Sequence, residues 1–326
     1  MSNDRNRKKL MLSLFLMTLL MTIFLSSPDI AAQKEASEKA MQRKIKDVPP
    51  VLLVYYHMFS GRLKEPKGIF YDRAKDEIYC ADTGNGLIGI YNMDGMELFL
   101  FGSKGVINEP YNVMVDPEGD IYVIDLEIGK VKVFNYRGEF RRFFDFSQSP
   151  APEPKPVAMN VDREGKLYFL DSSIPRVLIF TMDGRFLRSF GEKGIGKGKL
   201  SSPSDIAIDD AGNIYITDRV GMPVQVFNPE GKFINGWGEH DVGSQNFSFP
   251  AGIAIDRDGR IFVADTLRQD IKVFDADGNF LINFGGFGFE PGEVAYPSDV
   301  TIDGQGRIWV TEKIGSRIQV FCIEEQ

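Results

Sequence analysis

The chain has few of the residues that mark disulfide-rich or metal-rich proteins. Its 326 residues include two Cys and two His, which excludes a disulfide framework, a multi-cysteine zinc module and a histidine-rich metal centre. An excess of positive charge is also lacking, because the formal net charge is −8. Nucleic acids are bound through a strong basic surface, so the sequence predicts a protein that does not bind nucleic acid.

Residues 1–32 have the layout of an export signal. Four basic residues lie within residues 5–9, the stretch from Leu10 to Leu25 carries no charge, and small residues follow up to Ala32. This order is typical of a cleaved signal peptide. An uncleaved anchor is the alternative, although 16 apolar residues are short for a hydrocarbon core that needs about 20. In both cases we expect an extracytoplasmic protein, periplasmic or secreted; only an uncleaved segment would contact the membrane, through residues 10–25.

The polar residues 33–50 are interpreted as a linker, and residues 51–326 contain a motif that recurs six times. In each copy a Pro is followed six residues later by an Asp, and successive prolines are 44 to 47 residues apart. The six pairs are Pro66/Asp72, Pro110/Asp116, Pro156/Asp162, Pro203/Asp209, Pro250/Asp256 and Pro297/Asp303. Each copy holds four short segments of alternating apolar residues separated by turn residues, which predicts one four-stranded antiparallel sheet per repeat.

Six such sheets bury their faces when they pack around an axis. The sequence therefore predicts an all-β fold, a six-bladed β-propeller of four-stranded antiparallel blades. The last repeat, residues 297–326, has room for three strands only, while residues 51–59 supply one apolar segment before the first repeat. We expect this N-terminal strand to become the outermost strand of the last blade and so to close the ring.

The run of residues 203–233 resembles an NHL repeat, and so does the glycine-rich link at residues 190–199. The resemblance extends over residues 51–326 and implies a six-bladed NHL propeller of the exported bacterial type. It does not imply one function, because the family includes interaction scaffolds, RNA-binding domains, extracellular sensors and an amidating lyase. The zinc chemistry of that lyase needs several His, whereas this chain has His57 and His240 alone.

The residue two positions after each repeat proline is predicted to face one mouth of the central channel. It is polar in the second, fourth and sixth repeats, as Asn112, Asp205 and Asp299, and small in the others. Three oxygens around an axis would suit a hard cation such as calcium, although Asp at this position also caps the strand start. Short fragments resemble calcium-dependent lactonases, which place Glu, Asn and Asp around an axial calcium. Asn112 and Asp299 match such roles.

Acids that end the second strand of every repeat are interpreted as structural. They are Asp82, Asp125, Asp171, Asp218, Asp265 and Glu312. Because they occur in all six copies, we expect them to accept hydrogen bonds from backbone N–H groups in the following turn.

Two links between repeats are candidates for binding a partner protein. The link that contains Pro152 and Pro154 has four alternate prolines, which stiffen the backbone, either as a rigid bridge or as a docking ridge. A second link carries Phe287 and Phe289, which we expect to be exposed. The resulting hypothesis is an exported, non-catalytic protein-interaction or scaffold module without a cofactor. The alternative is a lactonase-like hydrolase that depends on a divalent cation, calcium first, at the channel mouth.

Overall fold

The structure, a computed structural model, describes residues 51–60, 63–150 and 153–325. The predicted signal or anchor at 1–32, the predicted linker at 33–50 and Pro152 lie outside the described residues. Residues Leu52–Glu324 form one compact unit. No helix within the described ranges is long and apolar enough to cross a membrane.

The predicted six-bladed propeller is confirmed, with four antiparallel strands in each blade. Strands are numbered in chain order, and the innermost strand of every blade begins at the repeat proline. These six strands are β2 (Pro66–Asp72), β6 (Pro110–Val115), β10 (Pro156–Val161), β16 (Pro203–Ile208), β20 (Pro250–Ile255) and β24 (Pro297–Ile302). The second strands are β3 (Glu77–Asp82), β7 (Ile121–Asp125), β11 (Leu167–Asp171), β17 (Ile214–Asp218), β21 (Ile261–Asp265) and β25 (Ile308–Glu312).

The outer half of each blade follows the same plan. The third strands are β4 (Leu87–Tyr91), β8 (Lys130–Phe134), β12 (Arg176–Phe180), β18 (Val224–Phe227), β22 (Asp270–Phe274) and β26 (Arg317–Glu325). The outermost strands of blades 1 to 5 are β5 (Glu97–Gly102), β9 (Phe140–Phe143), β13 (Phe186–Phe190), β19 (Phe233–Trp237) and β23 (Phe280–Gly285). A two-stranded parallel ribbon, β14 (Glu192–Lys193) with β15 (Lys199–Leu200), lies in the link between blades 3 and 4.

The ring closes through the N-terminal strand, as the repeat count predicted. Strand β1 (Val51–Ser60) pairs with β26, so the last blade has the order β1-β26-β25-β24. Each innermost strand contacts the innermost strand of the next blade, and β24 contacts β2. The innermost strands therefore surround a central channel, and the last blade contains strands from both ends of the described chain.

Apolar layers between neighbouring blades form the core of the described residues. Aromatic rings from adjacent blades meet in these layers: Phe101 with Phe134, Phe144 with Phe180, Phe190 with Phe227, Trp237 with Phe274, and Phe284 with Phe321. Their ring centroids are 4.9 to 5.6 Å apart, within the range in which tilted and edge-on pairs are attractive. The aromatic residue at the end of each third strand thus has the packing role that its periodicity predicts.

The acids that end the second strands hold the links between blades. Asp125, for example, accepts hydrogen bonds from the backbone N–H groups of Asn108 and Glu109, the two residues before the blade's proline. Asp218 similarly accepts from Ser201 and Ser202. The structural interpretation is confirmed, but the donors include the preceding link as well as the following turn, because the proline is paired with this acid across the strands. This anchoring fixes where each innermost strand starts at the channel mouth.

Candidate functional site

A β-bulge follows the proline in each of the six innermost strands. The pairing register shifts between the proline and the residue two or three positions later in every blade. A bulge bends the strand and changes the direction of a side chain, and it falls here at the position predicted to face the channel. Asn112, Asp205 and Asp299 line both a small cavity at one mouth and a larger cavity on the opposite side. They therefore lie at the boundary between the two cavities.

Small residues alternate with these three polar residues because the polar residues need the space. A Cβ placed on Gly252 would lie 2.2 Å from Asp299 Oδ1 and 2.5 Å from Asp299 Cα. A Cβ on Gly68 would lie 2.7 Å from Asn112 Cα. Real Cβ atoms do not approach that closely, so any larger residue at 68 or 252 would displace the neighbouring polar side chain.

The two carboxyl groups reach across blade boundaries. Asp205 Oδ2 accepts a hydrogen bond from Ile253 N in blade 5, at 2.8 Å. Asp299 Oδ2 accepts from Ile69 N in blade 1, at 2.9 Å, and Asp299 Oδ1 accepts from Val300 N, at 2.8 Å. Both residues are more than nine-tenths buried. These bonds fix the positions of two acids that lie side by side in a poorly hydrated place.

Burial makes both acids weak. Desolvation raises the pKa of Asp205 from 3.8 to about 7, against the opposing backbone hydrogen bonds of Ile253 and Ile206. Desolvation, followed by the charge of Asp205, raises the pKa of Asp299 well above its usual range. The two carboxyl groups also affect each other's pKa, as neighbouring carboxyl groups do when one proton is shared between them. The pair therefore needs a proton, or another cation, to remain together.

Asn112 completes the set with an oxygen that has no partner. Its Oδ1 atom is buried and accepts no hydrogen bond, and the residue is 8% exposed. A buried carbonyl oxygen without a donor is costly unless a ligand or ion meets it. No three His, Cys, Asp or Glu side chains of the described residues come together as a metal site, so the amide oxygen would be the third protein ligand. Two carboxylates and this oxygen fit a hard cation that keeps several waters.

Cationic and aromatic side chains surround the small cavity above these residues. The cavity has a volume of about 70 Å³, and its lining includes Lys67, Arg219 and Lys313. The Arg219 guanidinium lies 4.5 Å from the centre of the Phe249 ring and donates to the Tyr111 hydroxyl at 3.2 Å. Lys67 Nζ lies 5.4 Å from the centre of the Tyr111 ring. Sequence analysis did not single out these five residues.

The opposite cavity is larger and less specialised. Its volume is about 440 Å³, and it is lined by the far ends of the innermost strands and their hairpin turns. Asn160, one of its polar residues, donates to the Ile206 carbonyl of the next blade, and Asp209 accepts from the N–H groups of its own turn. The polar groups of Asn160 and Asp209 are thus occupied by structural bonds, whereas Asn112 Oδ1, at the boundary between the two cavities, has no partner.

The residues predicted to bind a partner lie in different environments. Phe287 and Phe289 are 62% and 55% exposed and contact each other edge-on at 5.8 Å. Arg317 donates to the carbonyl of Phe289 and to that of Glu293, which ties this link to blade 6. Pro154 is buried, between the exposed residues Glu153 and Lys155, and so it offers little area for docking. Pro152 lies outside the described residues.

The chain belongs to the SMP-30/gluconolactonase/LRE-like family, whose model matches residues 147–326, more than half of the sequence. This match begins just before blade 3 and continues to the last residue. No curated protein sequence matches the chain.

Many solved structures share the fold at low sequence identity. A gluconolactonase from Xanthomonas campestris is 14% identical, with a TM-score of 0.63 over 84% of this chain and 90% of that protein. A streptogramin B lyase is 15% identical, with a TM-score of 0.59 over 84% of this chain and 98% of that one. A virginiamycin B lyase from Staphylococcus aureus, with quinupristin, is 18% identical, with a TM-score of 0.58 over 85% and 88%. These likenesses establish the propeller fold; the NHL assignment and the export signal stay predictions.

Proposed function

We propose that the protein is a small-molecule hydrolase that opens an ester or lactone at the small-cavity mouth of the channel. The observation that carries this proposal is the Asp205–Asp299 pair beside the unpartnered Asn112 oxygen. Groups of this kind are costly in a purely structural position, and here they lie directly below an accessible cavity. Membership of the gluconolactonase-like family supports the same reaction class. A purely structural role accounts for the backbone bonds of Asp205 and Asp299 but not for the unpartnered oxygen of Asn112.

The acid pair supplies the groups that ester hydrolysis requires. When one proton lies between two carboxyl groups, one oxygen can accept a proton from water while the other carboxyl can donate one to the leaving alkoxide. The backbone bonds to Ile253 and Ile69 hold both carboxyl groups in place during that exchange. In place of the shared proton, Asn112, Asp205 and Asp299 would hold a divalent cation, which would polarise an ester carbonyl when bound.

A histidine-based reaction is less well supported. His240 lies in the link between blades 4 and 5, where a ring nitrogen contacts the Gly221 carbonyl at 3.1 Å. It does not line either channel cavity. A lyase mechanism that relies on imidazole would therefore need a histidine at a place where the described residues have acids.

The test is hydrolysis of a panel of γ- and δ-lactones, measured by acid release, with Ca²⁺, Mn²⁺ or a chelator present. Asp205→Asn and Asp299→Asn should each reduce turnover about 100-fold or more, the usual contribution of a general acid or base. Asp210→Asn is the matched control, because Asp210 is an exposed acid at the opposite cavity. We expect this control to keep the parent rate.

Two results would contradict the proposal. Turnover that survives in both Asn variants would locate the reaction elsewhere. Failure of every lactone with every cation, in a folded parent protein, would leave the scaffold hypothesis as the better one.

Protein binding is the second candidate, and the exposed pair Phe287 and Phe289 favours it. Aromatic anchors that are already fixed in place are common at protein interfaces, and Arg317 fixes this link. Changing both residues to Ser should abolish capture of a cross-linked partner without lowering the melting temperature. The matched control is Val242→Ser, which removes an even more exposed apolar side chain from another link. Equal losses in both variants would argue against a specific surface.

A further inference from the structure

Three cationic side chains from three blades meet at one mouth of a protein with a net negative charge. Lys67 follows the proline of blade 1, Arg219 follows the last residue of β17 in blade 4, and Lys313 follows the last residue of β25 in blade 6. All three line the same cavity of about 70 Å³. The propeller thus collects at one point charges that lie up to 246 positions apart in the sequence.

The acids of the protein do not balance these charges. No ion pair involves Lys67 or Arg219 in the part of the chain that the structure describes, and Arg219 Nε is buried without a hydrogen-bond acceptor. Lys313 pairs with Glu65 at 3.7 Å, but both side chains are more than one-third exposed, and such pairs contribute little. Burial, and then the charges of Lys313 and Arg219, lower the pKa of Lys67. The fold therefore keeps three mutually repelling cations together, and the acids near them, Glu65 and Glu109 at Lys67 and Asp205 at Arg219, form no close ion pair with Lys67 or Arg219 among the described residues.

Two aromatic rings line the same cavity. Tyr111 and Phe249 lie against Lys67 and Arg219, respectively, and both border the open space. The rings hold the cations in position and also offer flat apolar faces to a bound molecule. A cavity of this size accepts several waters or one small acidic group. Charge and apolar surface are thus combined at the entrance, directly above Asp205 and Asp299.

We propose that this mouth binds an organic acid, with its carboxylate held by Lys67, Arg219 and Lys313 and its ring or chain packed against Tyr111 and Phe249. The inference names the substrate class of the proposed hydrolase and, in that sense, rests on the proposed function. The substrate is then an ester or lactone that also carries a carboxylate. Guanidinium and ammonium groups are the side chains that bind carboxylates through charge-assisted hydrogen bonds.

The experiment is isothermal titration of the folded protein with benzoate and with benzamide, its neutral analogue of the same shape. Benzoate should bind at least about tenfold more tightly, the ratio produced by ~1.4 kcal/mol, and its affinity should fall as salt rises. Acetate and inorganic phosphate are the further probes. Acetate tests whether the ring contributes, and phosphate tests whether the site prefers an inorganic anion.

Matched variants locate the binding. Lys67→Gln and Lys313→Gln should each weaken benzoate binding by about tenfold while leaving benzamide unchanged. Arg163→Gln is the control, because Arg163 is an exposed cation at the opposite cavity. Lys313 is partly exposed, so its variant remains folded and informative even if the Lys67 variant does not.

The inference is contradicted if benzamide binds as tightly as benzoate. It is also contradicted if Lys67→Gln and Lys313→Gln both bind benzoate with the affinity of Arg163→Gln. Phosphate binding more tightly than benzoate would also overturn it in favour of an inorganic anion site. Failure of the hydrolase proposal is separate, because these titrations involve no turnover. Benzoate binding without any lactone hydrolysis would contradict the reaction alone, whereas hydrolysis of neutral lactones without a preference for benzoate would contradict the inference alone.

Discussion

The first two blades and the last four share one strand plan but differ at their outer edges. The family match covers residues 147–326, hence blades 3 to 6, and stops short of blades 1 and 2. In β9 of blade 2 all four residues are exposed, and β5 of blade 1 begins with three exposed residues. In β13 of blade 3 every residue is half-buried. The outer strands of blades 1 and 2 are thus less covered than those of blades 3 to 5.

At the innermost strands, the blades inside the family match and the blades outside it do not differ in this way. Blades 1 and 2 contribute Lys67, Tyr111 and Asn112 to the mouth of the channel, while blades 4 to 6 contribute the two acids. The site therefore needs residues that lie outside the family match. Sequence drift at an outer strand changes only that blade's surface, whereas a change at an inner strand affects every blade that meets there. The difference shows that similarity over part of a propeller does not delimit its functional site.

The blades also differ in how they neutralise the acid that ends the second strand. Burial raises the pKa of Asp82 in blade 1, where hydrogen bonds from Asn85 and the Lys64 backbone only partly compensate. Burial also opposes ionisation of Asp125 in blade 2. The hydrogen bond from Lys132, at 2.7 Å, and two backbone N–H groups outweigh that effect and lower its pKa. The same structural position is thus held by a cation in one blade and by neutral groups in its neighbour.

The largest effect is expected from removing the strand that joins the two ends of the ring. Deleting residues 51–60 would expose the edge of the nine-residue strand β26 that β1 covers. Several backbone hydrogen bonds at about 1 kcal/mol each, with the lost packing, rival a total stability of 5–15 kcal/mol. We expect residues 61–326 to aggregate or to melt far below residues 51–326 by circular dichroism.

This deletion also tests whether the two groups of blades are independent. The shortened chain could still show a melting transition, at a lower temperature and for only part of the structure. Such a transition would indicate that blades 1 and 2 unfold separately from blades 3 to 6. If it melts as high and as cooperatively as the parent, strand β1 does not close the ring.

A smaller effect is expected from Lys132→Met in blade 2. The substitution leaves Asp125 buried without its cation, and breaking a buried ion pair in this way costs about 3–5 kcal/mol. Urea unfolding at pH 7 measures the loss. The double variant Lys132→Met with Asp125→Asn should recover part of it, because no uncompensated charge remains.

Blade 1 provides the matched control for that substitution. Asp82 forms no ion pair among the described residues, so Asp82→Asn should cost less than Lys132→Met. Equal costs, or a double variant that is no more stable than Lys132→Met, would show that the two blades do not differ in their electrostatics.

The fold could be predicted from the sequence because the same turn and strand signals recur in all six repeats. The prolines open the innermost strands, and the spacing of Pro297 from the end of the chain indicates the closure by β1. The positions of Asn112, Asp205 and Asp299 follow from the same register. These features are local or periodic, and sequence patterns carry such information.

The cationic mouth could not be predicted from that pattern, because its members occupy different repeat positions. Lys67 stands one residue after a proline, whereas Arg219 and Lys313 stand one residue after a second-strand acid. The β-bulges that turn the channel residues also leave no mark in the periodicity. A usable signal does exist: the residues next to the proline and next to the closing acid both border the mouth, and comparing these two positions across the repeats would have found the three cations.

A pH dependence of stability is also expected, and it separates the matched blades from the unmatched ones. The pKa of Asp205 is higher in the folded protein, about 7, than its ordinary value of 3.8, so the native state holds an extra proton between these values. Stability is then fully present below pH 4 and falls as the pH rises towards 7, by about 1 kcal/mol per pH unit for one proton. Urea unfolding from pH 4 to 8 measures this slope.

Asp205→Asn, in the matched blades, should flatten this slope relative to the parent protein, whereas Asn112→Ala, in the unmatched blades, should leave it unchanged. Equal slopes in the parent and in Asp205→Asn would show that the two carboxyl groups do not share a proton.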